Sequence, residues 1–162
     1  QALYGTLLGL LIAWAYENGY VNGTGATTFN PDGSITRQQM WMILARLSGA
    51  SPANMTEARE WAMSSGVTDG TNGGNAMTRQ QMVTFLYRYA QNRGYTTGGG
   101  TSLDSFPDNA TVSAYAREPL AWAVGNGIVA GTSDGNLNPG GGATRAQFAV
   151  ILQRFYNNTV ES

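Results

Sequence analysis

At 162 residues the chain is long enough for one domain with a real core, and its 42% hydrophobic content argues against a disordered protein. Only 12% of the residues are charged and the net charge is −1, which excludes the basic surface that nucleic-acid binding requires. The chain has no cysteine and no histidine, so disulfides and thiolate chemistry are excluded as well. No stretch reaches the roughly 20 apolar residues that a membrane-spanning helix needs, so we expect no membrane insertion.

The chain starts with an apolar segment, residues 3–15, which we expect to be a buried helix whose natural upstream sequence is missing, rather than a signal peptide. The segment runs into the pattern Trp-Ala-x-x-x-Gly, which occurs again at residues 61–66 and 122–127. Glycine is common just past the end of a helix, so each pattern predicts a helix C-terminus. The recurrence predicts three diverged copies of one unit, with the three tryptophans in the core. The alternative is that one edge of a tryptophan lines a groove in which a sugar stacks. Trp41 has no counterpart and is expected to be either local packing or an exposed contact.

Each copy continues through a loop rich in glycine and asparagine to a Thr-Arg pair, and a glutamine follows the threonine by three residues. This spacing is a capping box, so each pair predicts the start of a second helix. The pairs are Thr36-Arg37, Thr78-Arg79 and Thr144-Arg145. A second arginine follows nine residues after the first in every copy, at Arg46, Arg88 and Arg154. We expect these second arginines to lie near helix C-termini, on a different face from the first, with a structural role.

The three copies span residues 1–50, 51–95 and 102–160, and we expect them to form one structural unit. Two helices are predicted in each copy and no real sheet, so the fold class is all-α. The tryptophan and the first arginine are 23 residues apart in copies one and three but 18 apart in copy two. This difference predicts that copy two has lost the counterpart of Leu137-Asn138-Pro139. The glycine triplet at 98–100 is the segment we expect to be most flexible.

The arginine at the first position of each second helix is the most informative feature of the sequence. A cation beside the positive end of the helix dipole is disfavoured by roughly 0.3–1 kcal/mol, so something must offset it. A helix start with free N–H groups and a guanidinium can receive an anion, which makes the three Thr-Arg pairs candidate ligand-binding residues. The alternative is an ion pair within the protein, in which the partner is Asp32, Asp69, Asp108 or Asp134.

Catalysis has little support in the sequence. Without histidine and cysteine only carboxylates could act as acid and base, and none of the five glutamates falls in a repeated position. The Asp-Gly pairs suit tight turns, and they lack the alternating oxygen ligands of a calcium loop. We therefore expect a binding module that is not an enzyme and that has no metal site and no cofactor.

Taken together, these motifs resemble the S-layer homology domain family. The resemblance lies in the Trp-Ala-x-x-x-Gly helix end, the Gly-x-x-Asp-Gly-x-Leu-x-Pro loop at 131–139, and Ala-Thr-Arg-Ala-Gln-Phe-Ala at 143–149. Phe106-Pro107-Asp108 also matches the Phe-x-Asp opening of the family's repeat. Each motif is weak alone, but the combination is specific and covers nearly the whole chain.

The resemblance implies three repeats in a pseudo-threefold, three-pronged helical bundle that anchors an exported protein to the bacterial cell wall, at the extracellular surface. The implied partner is a secondary cell wall polymer, or another peptidoglycan-linked glycan, whose pyruvylated sugars lie in grooves between repeats. The family's ligand-contacting arginine corresponds here to Arg37, Arg79 and Arg145, beside Thr36, Thr78 and Thr144. Asp108 is carried over as a ligand-binding residue from the opening motif.

Three features depart from the family pattern. Glutamine replaces the glutamate of the Thr-Arg motif in all copies, copies one and two lack the Phe-x-Asp opening, and the chain has no lysine. The alternative function is a structural or protein-interaction module for surface-layer assembly. In that case the arginines pair internally, and the protein associates with itself without direct glycan binding.

Overall fold

The computed structural model describes residues 33–160, so the predicted helix over 3–15 and the first tryptophan lie outside the described residues. Over this range the chain is helical, as the all-α prediction requires, and its β-structure is limited to isolated bridges. The helices are α1 Arg37–Leu47, α2 Met55–Ser64, α3 Arg79–Arg93, α4 Arg117–Gly125 and α5 Arg145–Phe155. Short 3-10 turns, Asn109–Thr111 and Ala114–Ala116, precede α4, and a π-helical turn, Tyr156–Val160, follows α5.

The helices that carry the Trp-Ala pattern end as predicted. Gly66 and Gly127 follow the caps of α2 and α4 with φ of 75° and 72°, which is the left-handed region. The next residue, Val67 or Ile128, donates its N–H back to the helix at 2.9 Å in both cases. This contact satisfies one of the carbonyls that every helix end leaves open.

In copies two and three, the first helix packs against the second helix of the copy before it. Helix α2 lies against α1, and α4 lies against α3. The helix–loop–helix unit seen in the sequence is therefore not a self-contained hairpin, because each unit is completed by its neighbour.

Aromatic rings make up much of the core between these helix pairs. Trp122 is 1% exposed, its ring centroid lies 6.1 Å from that of Phe155, and its Nε1 donates to the carbonyl of Thr96. Trp61 is partly buried and packs against the same core. The core prediction is confirmed for Trp122 and holds in part for Trp61. Trp41 is 1% exposed, which identifies it as local packing.

The glycine triplet at 98–100 lies directly on helix α4, contrary to the expectation that it is flexible. The side-chain amide of Asn126 donates to the carbonyl of Gly98 at 2.9 Å. A Cβ built at Gly125 would lie 2.0 Å from the carbonyl oxygen of Gly99. The expectation was wrong because glycine here permits a close approach between two backbones.

The segments just before α1, α3 and α5 pair with one another through isolated antiparallel bridges. The bridges join Ser34 to Thr144, Thr36 to Ala76, and Thr78 to Gly142. Each segment is therefore bridged to both of the others, which closes a ring around the three Thr-Arg helix starts. The ring joins residues from copies one, two and three.

Candidate binding grooves between the copies

The second helices begin as predicted, with a capping box at each Thr-Arg pair. In all three the threonine hydroxyl accepts from the backbone N–H of the glutamine, and the glutamine side chain accepts from the threonine N–H. Glutamine in place of glutamate therefore keeps the cap. The hydroxyl oxygens of Thr36, Thr78 and Thr144 are engaged in these caps, and a ligand contact by them stays a prediction.

The backbone N–H groups at the helix starts are not free, which corrects the expectation that they receive an anion. The N–H of Arg37 donates to the carbonyl of Asn75 at 3.0 Å, and that of Gln38 donates to Gly73 at 2.9 Å. The first two residues of α3 make the same contacts with the loop of copy three. Helix α5 begins alike, with the N–H of Arg145 bonded to copy one. The charged group that remains for a ligand at these positions is the guanidinium.

Each Thr-Arg arginine also reaches the neighbouring copy with its side chain. The Nε–H donates to a loop carbonyl in every case, that of Thr71 from Arg37 (3.0 Å), of Leu137 from Arg79 (3.0 Å) and of Ser34 from Arg145 (3.4 Å). These carbonyls carry partial negative charge and help to offset the cation at the helix start. These carbonyl contacts add to the two possibilities considered from the sequence, a carboxylate partner and an anionic ligand.

The short loop of copy two keeps the geometry that the helix start requires. Asn72 and Asn138 both have positive φ, 55° and 51°, and each carbonyl accepts from the N–H three residues later. Residues 71–73 therefore stand where residues 137–139 stand in copy three, and the prediction that copy two lacks this stretch was wrong. What copy two lacks is the preceding turn, which in copy three is built around Asp134.

Asp108 holds the loop of copy three in place. Its Oδ1 accepts from the N–H of Leu137 at 2.9 Å and its Oδ2 accepts from the N–H of Asn138 at 2.8 Å. Burial lowers the pKa of the Arg79 guanidinium, and the negative charge of Asp108 opposes that shift. Asp108 thus supports the loop that receives Arg79, and direct ligand contact by Asp108 stays a prediction.

The larger groove, which we call groove 2, lies between the start of α3 and copy three and has a volume of about 730 Å³. Its lining residues are Arg79, Val129, Ala130, Gly131, Thr132, Ser133, Ala146, Gln147, Val150, Ile151, Gln153, Arg154 and Asn157. The charged residues among them are Arg79 and Arg154, and no carboxylate is present. Groove 2 therefore combines an apolar floor with two positive charges.

The smaller groove, groove 1, lies between the start of α1 and copy two and has a volume of about 400 Å³. Its lining residues are Arg37, Asp69, Thr71, Asn72, Gln81, Thr84, Phe85, Arg88 and Tyr115. Nη2 of Arg37 lies 3.7 Å from Oδ1 of Asp69, and the Arg37 guanidinium lies 5.0 Å from the centroid of the Phe85 ring. The internal ion pair considered from the sequence is therefore present in this groove.

Thr71 and Arg37 keep Asp69 ionised. Hydrogen bonds from the backbone N–H and the hydroxyl of Thr71 lower the pKa of the Asp69 carboxyl, and the Arg37 charge lowers it further. Asp69 is therefore negatively charged at neutral pH.

The second arginines lie in the same grooves as the first ones, which the sequence reasoning missed. Arg88 lines groove 1 with Arg37, and Arg154 lines groove 2 with Arg79. The two arginines of a groove come from successive copies, so the half-turn that separates them on one helix does not separate them in space. The signal in the sequence was the recurrence of both positions.

Arg145 lies at the boundary with copy one, most of which is outside the described residues.

In the described residues, 33–160, the three Thr-Arg helix starts are joined to one another and arginine-lined grooves lie beside two of them. Residues 12–40 and 105–149 match the model of the S-layer homology domain. In these two segments the chain is similar to the S-layer homology domain, a non-catalytic module that anchors proteins to the cell wall. The match indicates a location at the cell surface. Within residues 33–160 no helix is long and apolar enough to cross a membrane, and no cluster of acidic residues could hold a metal ion.

Three relatives resemble almost the whole chain. An endoglucanase of Bacillus sp. (strain KSM-635) is 28% identical over 85% of this chain, which covers 16% of that protein. The surface-layer 125 kDa protein of Lysinibacillus sphaericus is 24% identical over 88% of this chain, covering 13% of the relative. An amylopullulanase of Thermoanaerobacterium thermosulfurigenes is 28% identical over 82%, covering 8%. The chain thus spans less than a fifth of each relative.

Proposed function

We propose that the chain is a non-catalytic anchoring module that binds an anionic, pyruvylated secondary cell wall polysaccharide through the grooves between its copies. The observation that carries the proposal is the pairing of two arginines from successive copies in each groove. Guanidinium groups bind carboxylates through charge-assisted hydrogen bonds, and a pyruvylated sugar presents a carboxylate. Groove 2, which has no lining carboxylate, is the stronger anion site.

The chemistry of groove 2 suits a sugar acid. Its volume lies within the range of roughly 300–1,000 Å³ that is typical of small-molecule sites. Arg79 uses Nε and Nη2 to bond the carbonyls of Leu137 and Ala130, which fixes the guanidinium before any ligand arrives. A guanidinium has five N–H donors, so further donors are left for a ligand carboxylate. Arg154 lines the same groove, and its side chain is exposed to solvent.

The arrangement of copies that we propose is a pseudo-threefold, three-pronged bundle of repeats 1–50, 51–95 and 102–160. Support comes from the closed set of bridges among the three helix starts, and from the contacts of α1 with copy two, which recur between α3 and copy three. In such an arrangement Arg145 faces a third groove, formed with copy one. The Nε contact of Arg145 with Ser34 is consistent with that position.

The absence of catalysis in this chain is part of the proposal. Glycoside hydrolysis commonly uses two carboxyl groups that flank the scissile bond. Among the described residues, groove 1 is lined by one carboxylate, Asp69, and groove 2 by none. Two relatives are named as enzymes, but the chain covers only 16% and 8% of them.

The test is binding of the purified chain to isolated cell wall polysaccharide, before and after chemical removal of pyruvyl groups. Arg154→Gln is the informative variant, because Arg154 is exposed and lines groove 2. We expect it to weaken binding of the pyruvylated polymer by about 10- to 100-fold, the value of a lost charged hydrogen bond. Arg93→Gln removes the same charge from an exposed position outside both grooves and is the matched control. Equal affinity of the unsubstituted chain for both polymers would refute the carboxylate mechanism.

A second candidate function is surface-layer assembly through protein contacts, without direct glycan binding. The observation that favours it is the ion pair of Arg37 and Asp69, since an arginine neutralised within the protein does not need a ligand. This function predicts self-association of the chain in sedimentation velocity that added polysaccharide does not change. A chain that stays monomeric at high concentration and binds the polymer would exclude it.

A further inference from the structure

The two grooves differ in charge at one equivalent position. Asp69 and Ala130 each lie three residues after the left-handed glycine that follows the preceding helix, Gly66 or Gly127. In groove 1 this position places a carboxylate 3.7 Å from the Thr-Arg arginine, and the Asp69 side chain is 71% exposed. An incoming carboxylate would meet this like charge in groove 1, whereas no carboxylate lines groove 2. Groove 1, with Arg37 and Arg88 against Asp69, is therefore the weaker of the two anion sites.

Groove 1 has an open aromatic ring instead. Tyr115 is 48% exposed, and among the described residues it and Met63 are the large hydrophobic side chains that solvent reaches in this way. The other ring of the groove, Phe85, is covered by the Arg37 guanidinium and is 2% exposed. Tyr115 is therefore the ring against which a ligand can pack.

The backbone that carries Tyr115 is fixed to the groove. Tyr115 lies in the 3-10 turn Ala114–Ala116, and the residue just before the turn, Ser113, is clamped to Gln80 near the start of α3. Nε2 of Gln80 donates to the Ser113 hydroxyl, and the Ser113 N–H donates to Oε1 of Gln80, both at 3.0 Å. An exposed ring on an anchored turn loses little entropy when a ligand packs on it.

We propose that groove 1 is a subsite for a neutral sugar of the same polymer, stacked on Tyr115, while groove 2 takes the acidic sugar. One face of a pyranose ring presents C–H groups, which pack favourably on the negative face of an aromatic ring. Gln81 and Asn72 stand in the same groove and supply amide groups for the sugar hydroxyls. The inference rests on the proposed function, and it assigns the two grooves to two different sugars of one polysaccharide.

The experiment compares the affinities of Tyr115→Ala and Arg154→Gln for the polymer with and without its pyruvyl groups. Tyr115→Ala is expected to lose roughly 3- to 10-fold in affinity for both forms, because the neutral sugar is present in both. Arg154→Gln is expected to lose affinity only for the pyruvylated form. Met63→Ala removes an exposed apolar side chain outside the grooves and controls for general surface effects. Tyr115→Phe keeps the ring and is expected to lose less than Tyr115→Ala.

Two outcomes would overturn the assignment of Tyr115: unchanged affinity of Tyr115→Ala for both forms, or a loss confined to the pyruvylated form. Failure of the proposed function looks different, because the unsubstituted chain then binds neither form, or binds both forms with equal affinity. A circular dichroism melt of each variant confirms that the fold is intact.

The charge assignment has its own test in Asp69→Asn. Removal of this carboxylate leaves Arg37 unneutralised, so the affinity for the pyruvylated form is expected to rise while that for the depyruvylated form stays constant. Asp104→Asn removes the same charge from an exposed site outside the grooves and is the matched control. Unchanged affinity of Asp69→Asn for the pyruvylated form would contradict the role of Asp69 in excluding anions from groove 1.

Discussion

The Nε–H of Arg79 donates to the carbonyl of Leu137 at 3.0 Å, a contact between two copies across 58 residues of sequence. Arg79 is 8% exposed and therefore has a structural role in addition to the ligand contact that we propose. Its removal would leave the buried carbonyl of Leu137 without this donor, which costs about 1–3 kcal/mol. Loss of binding in an Arg79 variant would thus mix the two roles, whereas the exposed Arg154 in the same groove separates them.

Gly125→Ala is expected to destabilise the fold, although alanine is the better helix former. A Cβ at this position would lie 2.0 Å from the carbonyl oxygen of Gly99, so the glycine segment must move away from α4. We expect a loss of about 1–3 kcal/mol in the free energy of unfolding, as for other overpacked sites, measured by urea denaturation. Gly74→Ala is the control, since a Cβ there meets nothing within 4 Å. Equal stability of Gly125→Ala and Gly74→Ala would show that the segment is not held against α4.

Asp108→Asn is expected to loosen the loop of copy three. The amide can accept from only one of the two N–H groups, those of Leu137 and Asn138, that the carboxylate now holds. The expected decrease in the free energy of unfolding is about 1–3 kcal/mol, the value of a hydrogen bond to a charged group. Asp104→Asn removes a carboxylate of equal charge four residues earlier and should leave the denaturation midpoint unchanged. A similar effect of both substitutions would indicate that net charge, and not the clamp, matters.

Thr78→Ala is expected to lower stability by about 1 kcal/mol, because the first turn of α3 loses the hydroxyl that accepts from the Gln81 N–H. Thr78→Ser keeps that oxygen and should retain most of the stability. Thermal unfolding of the two variants side by side measures the cap alone. The hypothesis of a capping role fails when serine and alanine destabilise equally.

Acid is expected to weaken the fold through Asp69 and Asp134. Hydrogen bonds from Thr71 lower the pKa of Asp69, and those from the Thr132 hydroxyl and the Asn136 N–H lower that of Asp134. A carboxyl whose pKa is lower in the folded state stabilises the fold above its unfolded pKa, and that stabilisation is lost as the pH falls through the folded pKa. The free energy of unfolding should therefore fall as the pH drops below about 4, the ordinary pKa of aspartate. Asp69→Asn and Asp134→Asn should each make this dependence less steep, and an unchanged pH profile would argue against both contacts.

Local features of this fold could be predicted from the sequence, and contacts between copies could not. The capping boxes at Thr36, Thr78 and Thr144 and the left-handed glycines after α2 and α4 depend on residues three or four positions apart, so spacing alone identifies them. The partners of Arg37 and Arg79 are backbone carbonyls, which every residue has, and no sequence pattern distinguishes one carbonyl from another. For the same reason the sequence did not indicate that the N–H groups at the helix starts bond to carbonyls of the neighbouring copy.

The composition of the grooves was missed for a related reason. Arg37 and Arg88 line one groove but belong to different copies. Reasoning along one helix compares the two arginines of the same copy, which lie on different faces, and so it separates the two positions. The error at the loop of copy two had another cause. Asn72 and Asn138 share a backbone conformation although the residues around them differ. Comparison of the residue types alone therefore placed the missing residues of copy two at the wrong point in its loop.

The ring of bridges among the three helix starts has a mechanical consequence. Ser34 is bridged to Thr144. A force that stretches the chain from outside residues 34–144 therefore acts first on the contacts between copies, before single helices unfold one after another. An anchor at a cell surface is loaded by whatever it holds, and a closed ring distributes that load over its bridges. Pulling the chain by its two ends in a force spectrometer should therefore give one cooperative rupture rather than three successive ones.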